Sequence, residues 1–264
     1  MRAAAPGSAL VERLVPEAVA SVGDPTTPAS APKRGGLTIA DEIGDPSRAP
    51  YRRHGKVYLT IPGDDDYVCS ATAVRSRKRN VVITAGHCVF DAGITDRWAR
   101  NWMFVPGKRD GNEPYGRWTA KRLASTAGWK RRASLRYDVG AAVMKRRNGK
   151  KLQNVIGARG IAFNRPRNRT YNAFGYPAQG LAFSPGNRLW HCVSGNVDND
   201  SPPGRGPRTL GIECDMTGGS SGGGWVVSGK VQSVVSYGYE LSFDRLYGPY
   251  FGRAVKRLYR SVRG

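Results

Sequence analysis

Only three side chains in this chain, His54, His87 and His191, are imidazoles. Proton transfer through an imidazole near neutral pH must use one of them. His87 ends an apolar run, Val81-Val82-Ile83-Thr84-Ala85-Gly86-His87-Cys88. A strand that finishes in small residues would present the ring at its end; the plain alternative is a structural histidine there. A second segment with chemical potential is Cys214-Asp215-Met216-Thr217-Gly218-Gly219-Ser220-Ser221-Gly222-Gly223-Gly224-Trp225. Glycines around a serine allow a tight turn that exposes the hydroxyl and aims two backbone N–H groups at one point, as a developing oxyanion requires. A flexible linker is the alternative, and apolar runs on both sides oppose it. Histidine plus serine points to nucleophilic acyl transfer.

Chain order narrows the choice. Gly219-Ser220-Ser221-Gly222-Gly223 fits the G-x-S-x-G elbow of α/β-hydrolases, but that arrangement needs a histidine after the serine and none follows His191. The subtilisin order, Asp–His–Ser, is open through Asp64–Asp66, yet the long helices of that fold are missing from the pattern. His, then Asp, then Ser remains. Asp138, in Arg136-Tyr137-Asp138-Val139-Gly140-Ala141-Ala142-Val143-Met144, is the best intermediate carboxylate, 51 residues after His87 and 83 before Ser221. It precedes an apolar strand. Asp91, Asp96, Asp110, Asp198 and Asp200 sit in polar, turn-rich stretches where a solvated carboxylate is expected. A surface ion pair with the neighbouring basic residues is the alternative role for Asp138. Cys69, His87, Cys88, His191, Cys192 and Cys214 could be read as zinc ligands, but no C-x₂₋₄-C spacing supports that; no metal or cofactor is expected.

These residues must be positioned by strands. Lys56–Ile61, Tyr67–Val74, Asn80–Thr84, Trp102–Val105, Arg117–Leu123 and Val139–Met144 read as short strands. Thr170–Phe174, Leu189–Val193, Thr209–Cys214, Trp225–Val227 and Val231–Val235 continue the series, with turn signals between nearly all of them. Arg75–Arg79 looks like a hairpin turn. Many short strands with few helical periods imply an all-β sandwich or barrel. One helix is clear, Arg253–Val262, where Val255, Leu258 and Val262 recur at helical spacing. Residues 1–50 differ: Ala, Pro, Ser and Gly dominate, no aromatic residue occurs, and a disordered tail or removable pro-segment is expected. A short helix around Ala9–Ala20 is possible within it. Met1–Gly7 lacks the apolar core of a signal peptide.

The chain has 264 residues, 34 glycines, 17 prolines and a formal charge of +22. Its mean hydropathy is −0.48, and no apolar run approaches the ~20 residues of a membrane helix. Between Arg97 and Arg169 lie twenty basic residues and three acidic ones, Asp110, Glu113 and Asp138. Such charge attracts polyanions or cell-wall polymers weakly, but a solvated basic surface is the plainer explanation, since nothing arranges the charges on one helix face.

Thr84-Ala85-Gly86-His87-Cys88 and Gly219-Ser220-Ser221-Gly222-Gly223 together resemble the signature motifs of trypsin-like (chymotrypsin-fold) serine peptidases, nearest the bacterial secreted branch that includes glutamyl endopeptidase-like enzymes. The resemblance runs from about Lys56 to Val262. It implies two six-stranded antiparallel β-barrels, about 51–135 and 136–264, with a C-terminal helix. It implies an endopeptidase acting on proteins or peptides, with His87 as base, Asp138 orienting it, Ser221 as nucleophile, and the amides of Gly219 and Ser221 as oxyanion hole. Cys69–Cys88 resembles the family's bridge beside the histidine, which leaves Cys192 and Cys214 as the second pair. Disulfides imply an oxidising, extracellular setting. Ser236-Tyr237-Gly238 resembles the strand that pairs with substrate, and Gly248–Gly252 the far pocket wall. Asp215, six residues before Ser221, resembles a pocket-floor aspartate that selects Arg or Lys, with a capping or turn aspartate equally open. Val235 stands where glutamyl enzymes carry a histidine, which disfavours glutamate preference. Ser220 replaces the aspartate that binds a freed N-terminus in animal-type members, so that activation switch is not expected. A catalytically weak polyanion-binding protein on the same fold is the alternative function.

Overall fold

Strands His54–Thr60, Asp66–Val74, Val81–Thr84, Arg100–Pro106, Trp118–Ser125 and Gly140–Met144 form a closed antiparallel barrel in the computed structural model, which describes residues 5–6, 39–63, 65–183, 185–239 and 244–264. Closure comes from Asp66–Val74, which pairs with His54–Thr60 on one edge and Val81–Thr84 on the other. Val57, Leu59, Cys69, Ala71, Phe104 and Trp118 fill its core. Asp66–Val74 departs from simple alternation, since every residue after Asp66 is buried. The reason is that its polar face is covered too: Ser70 and Thr72 hydrogen-bond to the loop around Ser221 rather than to water.

Six further strands build the second half: Thr170–Gly175, Trp190–Gly195, Leu210–Glu213, Gly224–Val227, Lys230–Val234 and Arg245–Gly248. Four form one antiparallel ladder, and Leu210–Glu213 pairs with Arg245–Gly248 in another. Isolated bridges, Asp198 with Gly211 and Tyr237 with Tyr247, stitch the two ladders together. Tyr171, Ala173, Cys192, Ile212, Cys214 and Trp225 make the core here. The chain is therefore all-β, as its turn spacing implies. The helix Arg253–Val262 has the expected bounds, and Val255, Leu258 and Val262 are buried in a third cluster with Ile83, Ala141 and Val234 from both halves. Burying three such side chains contributes about 5–8 kcal/mol by apolar area, so this helix fastens one half to the other.

Two boundaries differ from expectation. Gly140–Met144 lies between Trp118–Ser125 and Val81–Thr84 and closes the first barrel. The division thus falls after Met144 rather than at 135/136, because the strand following Asp138 completes the ladder that begins at His54. Residues 39–50, expected in the flexible segment, are folded: Ala40 and Ile43 are buried, and Asp41–Glu42 pairs with Trp190 and His191. Two buried apolar residues flanking the paired Asp41–Glu42 suffice once a sheet edge accepts the backbone. Most of the expected tail, including the possible helix at 9–20, lies outside the described residues. Two short helices, Ala127–Arg132 and Leu152–Ile156, have no counterpart in the sequence reading, since five or six residues are too few to show a helical period.

Candidate active site

The apolar strand Val81–Thr84 ends on Ala85-Gly86, and His87 follows with no exposed surface. Gly86 is required by packing. A Cβ there would lie 2.6 Å from Trp129 Cγ and 2.7 Å from Asp138 Oδ1, whereas ordinary contacts begin near ~3.4 Å. Trp129 comes from the Ala127–Arg132 helix, which Thr126 caps by accepting from the Trp129 N–H at 3.1 Å. Its ring meets the His87 ring edge-on at 6.1 Å, and its Nε1–H donates to the Phe90 carbonyl.

Asp138 is fully buried and holds His87 twice. Oδ1 accepts from the His87 backbone N–H at 2.8 Å, and Oδ2 lies 2.7 Å from His87 Nδ1. Ser236 Oγ donates to the same Oδ2 at 2.6 Å. A buried carboxylate must be satisfied by donors, and these three fix its position and make Nδ1 the ring nitrogen that donates to it. The opposite nitrogen, Nε2, is buried and has no hydrogen-bond partner among the described residues. The other two histidines are built differently. His54 stacks on Phe174 at 4.1 Å, and its nitrogens meet Thr72 Oγ1 and Arg159 Nε. Burial and the Arg159 charge hold its pKa well below the ordinary value. His191 meets the Asn172 amide oxygen, and burial lowers its pKa. The remaining aspartates serve elsewhere: Asp91 binds Thr95, Asp96 the Gly93 amide, Asp110 Arg188, Asp198 Tyr247, and Asp200 both Tyr237 and Tyr239. Asp91 is buried as a turn anchor, not solvated as its polar surroundings suggest.

The serine loop lies against the histidine strand. Ser70 N–H donates to the Ser221 carbonyl at 2.7 Å, and the Cys69–Cys88 disulfide sulfur of Cys88 is 3.6 Å from that oxygen. Gly222 has φ +83°, and a Cβ there would sit 2.1 Å from Thr84 Oγ1 and 2.4 Å from the Ser70 carbonyl. Only glycine allows this approach. Within the loop, the amides of Gly218, Ser220, Gly222 and Gly223 donate to Gln179 Oε1 and to the carbonyls of Thr217, Val235 and Ser220. The amides of Gly219 and Ser221 donate to no described residue. The structure thus brings His87, Asp138 and the Ser221 loop to one place between the two halves.

The expected binding residues fall nearby with individual roles. Ser236 N–H and Tyr237 N–H donate to the Tyr247 carbonyl, while Gly238 makes no hydrogen bond to a described residue. Tyr237 is buried, and its hydroxyl meets Asp200 and Thr209. Asp215, considered for the pocket floor, accepts from the Ala40 N–H at 2.7 Å and so anchors the folded N-terminal segment, which is its capping alternative. Cys192–Cys214 is the second disulfide. Cys69, Cys88 and His87 place ligand-type atoms within 4.8 Å of one another, but the two sulfurs are bonded to each other, so they offer no thiolate. Sequence reasoning assigned Ser236 to substrate and missed its contact with Asp138. It also missed Ser70, whose only visible signal is its place beside Cys69.

No family model matches the chain. The solved protease Anisep from Arthrobacter nicotinovorans is 38% identical, with a TM-score of 0.71 over 82% of this chain and 98% of that one. A thermostable serine protease, AL20, from an extremophilic microorganism is 37% identical, with a TM-score of 0.74 over 80% of this chain and 97% of that one. A Glu endopeptidase solved with MPD, at 18% identity and a TM-score of 0.70 over 87% of this chain and 98% of that one, shares the fold. Among curated proteins, one named Extracellular metalloprotease from Bacillus subtilis (strain 168) is 26% identical over 220 residues. That match covers 82% of this chain and 55% of the relative, so the chain spans about half of its length.

Proposed function

This chain belongs to the bacterial serine proteases of the chymotrypsin fold, and we propose that it is a secreted endopeptidase whose nucleophile is Ser221. The observation that carries the reading is the buried His87 ring, with Nδ1 held by Asp138 and Nε2 without a partner among the described residues, next to Cys88, whose sulfur touches the Ser221 carbonyl. His87 Nε2 accepts the Ser221 hydroxyl proton as Oγ bonds to the scissile carbonyl carbon. The Nδ1–H bond to Asp138 keeps the tautomer correct and stabilises the imidazolium. The carbonyl oxygen becomes an oxyanion between the Gly219 and Ser221 amides, each worth about 3–4 kcal/mol of barrier. As the tetrahedral intermediate collapses, the C–N bond breaks and Nε2–H protonates the departing amine. Water then repeats the cycle on the acyl-enzyme, releasing the acid and restoring Ser221. The Gly238 backbone, which has no hydrogen-bond partner among the described residues, supports pairing with an extended peptide. The two disulfides support an oxidising, extracellular location, and the curated relative's name agrees.

The test is casein cleavage by the wild type and Ser221→Ala, each with a fluorophosphonate or a metal chelator. Expected is activity abolished by the phosphonate and by the substitution, and retained with chelator. Chelator-sensitive, phosphonate-resistant cleavage would overturn the serine assignment and favour the chemistry named for the Bacillus relative.

A further inference from the structure

Hydrogen bonds pin each successive peptide plane of the serine loop. In a planar trans peptide the C=O and the following N–H point in opposite directions, so fixing one aims the other. The Gly219–Ser220 plane is held at both ends: Ser70 Oγ donates to the Gly219 carbonyl at 2.9 Å, and Ser220 N–H donates to Thr217 O at 3.2 Å. The Ser220–Ser221 plane is held by Gly223 N–H on the Ser220 carbonyl at 2.9 Å, which leaves the Ser221 N–H facing away. These contacts come from inside the loop or from the first barrel.

The Gly218–Gly219 plane is held differently. Its carbonyl accepts from Ala178 N–H at 2.6 Å. The next residue, Gln179, grips the loop three more times. Gly218 N–H donates to Gln179 Oε1 at 3.1 Å. Gln179 N–H donates to Thr217 Oγ1 at 3.2 Å, and that hydroxyl donates to the Gln179 carbonyl at 2.8 Å. The Ala178 backbone is in turn backed by close packing, since a Cβ on Gly186 would lie 2.4 Å from Ala178 Cβ. Lys56 of the first barrel donates to the Gly186 carbonyl at 2.6 Å and closes that segment. Gln179 is exposed, and by type alone it reads as an ordinary surface residue.

We infer that Gln179, with Thr217, is a positioning residue that aims the Gly219 amide at the reacting oxygen, independently of the Ser221 amide. The inference rests on the proposed serine mechanism. Losing a whole oxyanion donor costs ~10²–10³-fold in rate. Losing the aim of one donor that stays in place costs less, about 5–30-fold on that scale. Substrate binding does not use this amide until the carbonyl becomes tetrahedral, so the loss falls on kcat and not on KM.

Gln179→Met keeps the length of the side chain and removes the acceptor; Thr217→Val removes the paired hydroxyl. Both are compared with wild type in three measurements: the phosphonylation rate of Ser221 by a fluorophosphonate, kcat and KM on a chromogenic peptide taken from a casein cleavage site, and inhibition by the aldehyde of that peptide. The expected result is a 5–30-fold fall in kcat, a similar fall in phosphonylation rate and aldehyde affinity, KM within about twofold, and an unchanged melting temperature. Gln179→Glu keeps an acceptor for Gly218 N–H and is expected to recover part of the aldehyde affinity. Wild-type values in both variants, or equal losses in kcat and peptide binding, overturn the inference while labelled wild type leaves the serine mechanism standing. Failure of the wild type itself to react with the phosphonate overturns both.

Discussion

Replacing Asp138 with asparagine tests the site through a single atom. Asp138 Oδ1 accepts from the His87 backbone N–H at 2.8 Å, while Oδ2 faces His87 Nδ1 at 2.7 Å and Ser236 Oγ at 2.6 Å. All three are donors, and an asparagine has one oxygen and one NH₂. The backbone N–H cannot change its proton, so an NH₂ facing it buries two opposed donors at a cost of about 1–3 kcal/mol. The imidazole and the serine hydroxyl can both turn their protons away. The introduced amide therefore directs its oxygen to the backbone and its NH₂ to the ring. Nδ1 becomes an acceptor, and the proton moves to Nε2. A protonated Nε2 cannot take the Ser221 proton, so general-base catalysis worth ~10²–10⁴-fold is lost. The fold loses only a rearranged polar network. At about 1–2 kcal/mol this lowers the melting temperature by about 2–8 °C for a chain of this size. The assay is the phosphonylation rate and kcat of Asp138→Asn, with ¹⁵N chemical shifts of the histidines reporting the tautomer. Activity above a tenth of wild type in a folded variant, or an Nδ1–H tautomer, would show that Asp138 does not set the tautomer of His87.

Three further outcomes are expected. Gly222→Ala places a Cβ 2.1 Å from Thr84 Oγ1 at φ +83°; left-handed backbone alone costs about 1–2 kcal/mol, so the loop shifts. Activity should fall by at least about 100-fold, and wild-type kcat would contradict this. Replacing Cys192 and Cys214 together by alanine opens a loop with a sequence separation of 22. Stability measured by urea unfolding of the Ser221→Ala form should drop by about 3 kcal/mol on the chain-entropy account; an unchanged midpoint would contradict it. Lys56 is buried against Gly186, and burial, then the Lys108 charge, lowers its pKa from 10.5 to about 8. Below pH 8 both folded and unfolded chains carry this proton, and the fold bears the full cost of the buried charge. Between about pH 8 and 10.5 the folded chain releases a proton the unfolded chain keeps, so stability rises with pH. Relative to Lys56→Met, the Ser221→Ala protein should gain roughly 3 kcal/mol across that window by urea unfolding; a constant difference would count against the buried charge.

How much of this was legible in the sequence varied with physical scale. Strands such as Thr170–Gly175 and Lys230–Val234 show themselves because β-branched and aromatic residues are bounded by turn formers. The helix Arg253–Val262 is long enough to repeat its apolar spacing. Arg245–Gly248 is a strand that the sequence reading passed over; it has four residues, of which only Gly248 lies in the Gly248–Gly252 stretch read as pocket wall, and its partner Leu210–Glu213 is remote in sequence. The pairing of His87 with Asp138 followed from chain order and from the apolar run after Asp138. The third donor, Ser236, did not, because nothing local marks a serine as facing a carboxylate 98 residues away. Asp215 shows the same limit. Its spacing to Ser221 suggested a pocket floor, but its partner is the Ala40 amide, 175 residues distant. Ala40 itself was hidden in a segment whose composition reads as tail, since docking onto the edge at Trp190–His191 needs backbone hydrogen bonds more than side chains. Gln179 is the extreme case, an exposed polar residue whose contacts appear only in three dimensions.

His87 and Asp138 can serve as base and orienting carboxylate only if Ser221 is an activated nucleophile. The most direct measurement treats the wild type, Ser221→Ala and His87→Ala with a fluorophosphonate and locates the adduct by peptide mass spectrometry. The expected result is one adduct on Ser221 in the wild type and none in either variant. An unlabelled, disulfide-intact wild type, or an adduct on Ser220 or any other residue, would contradict it.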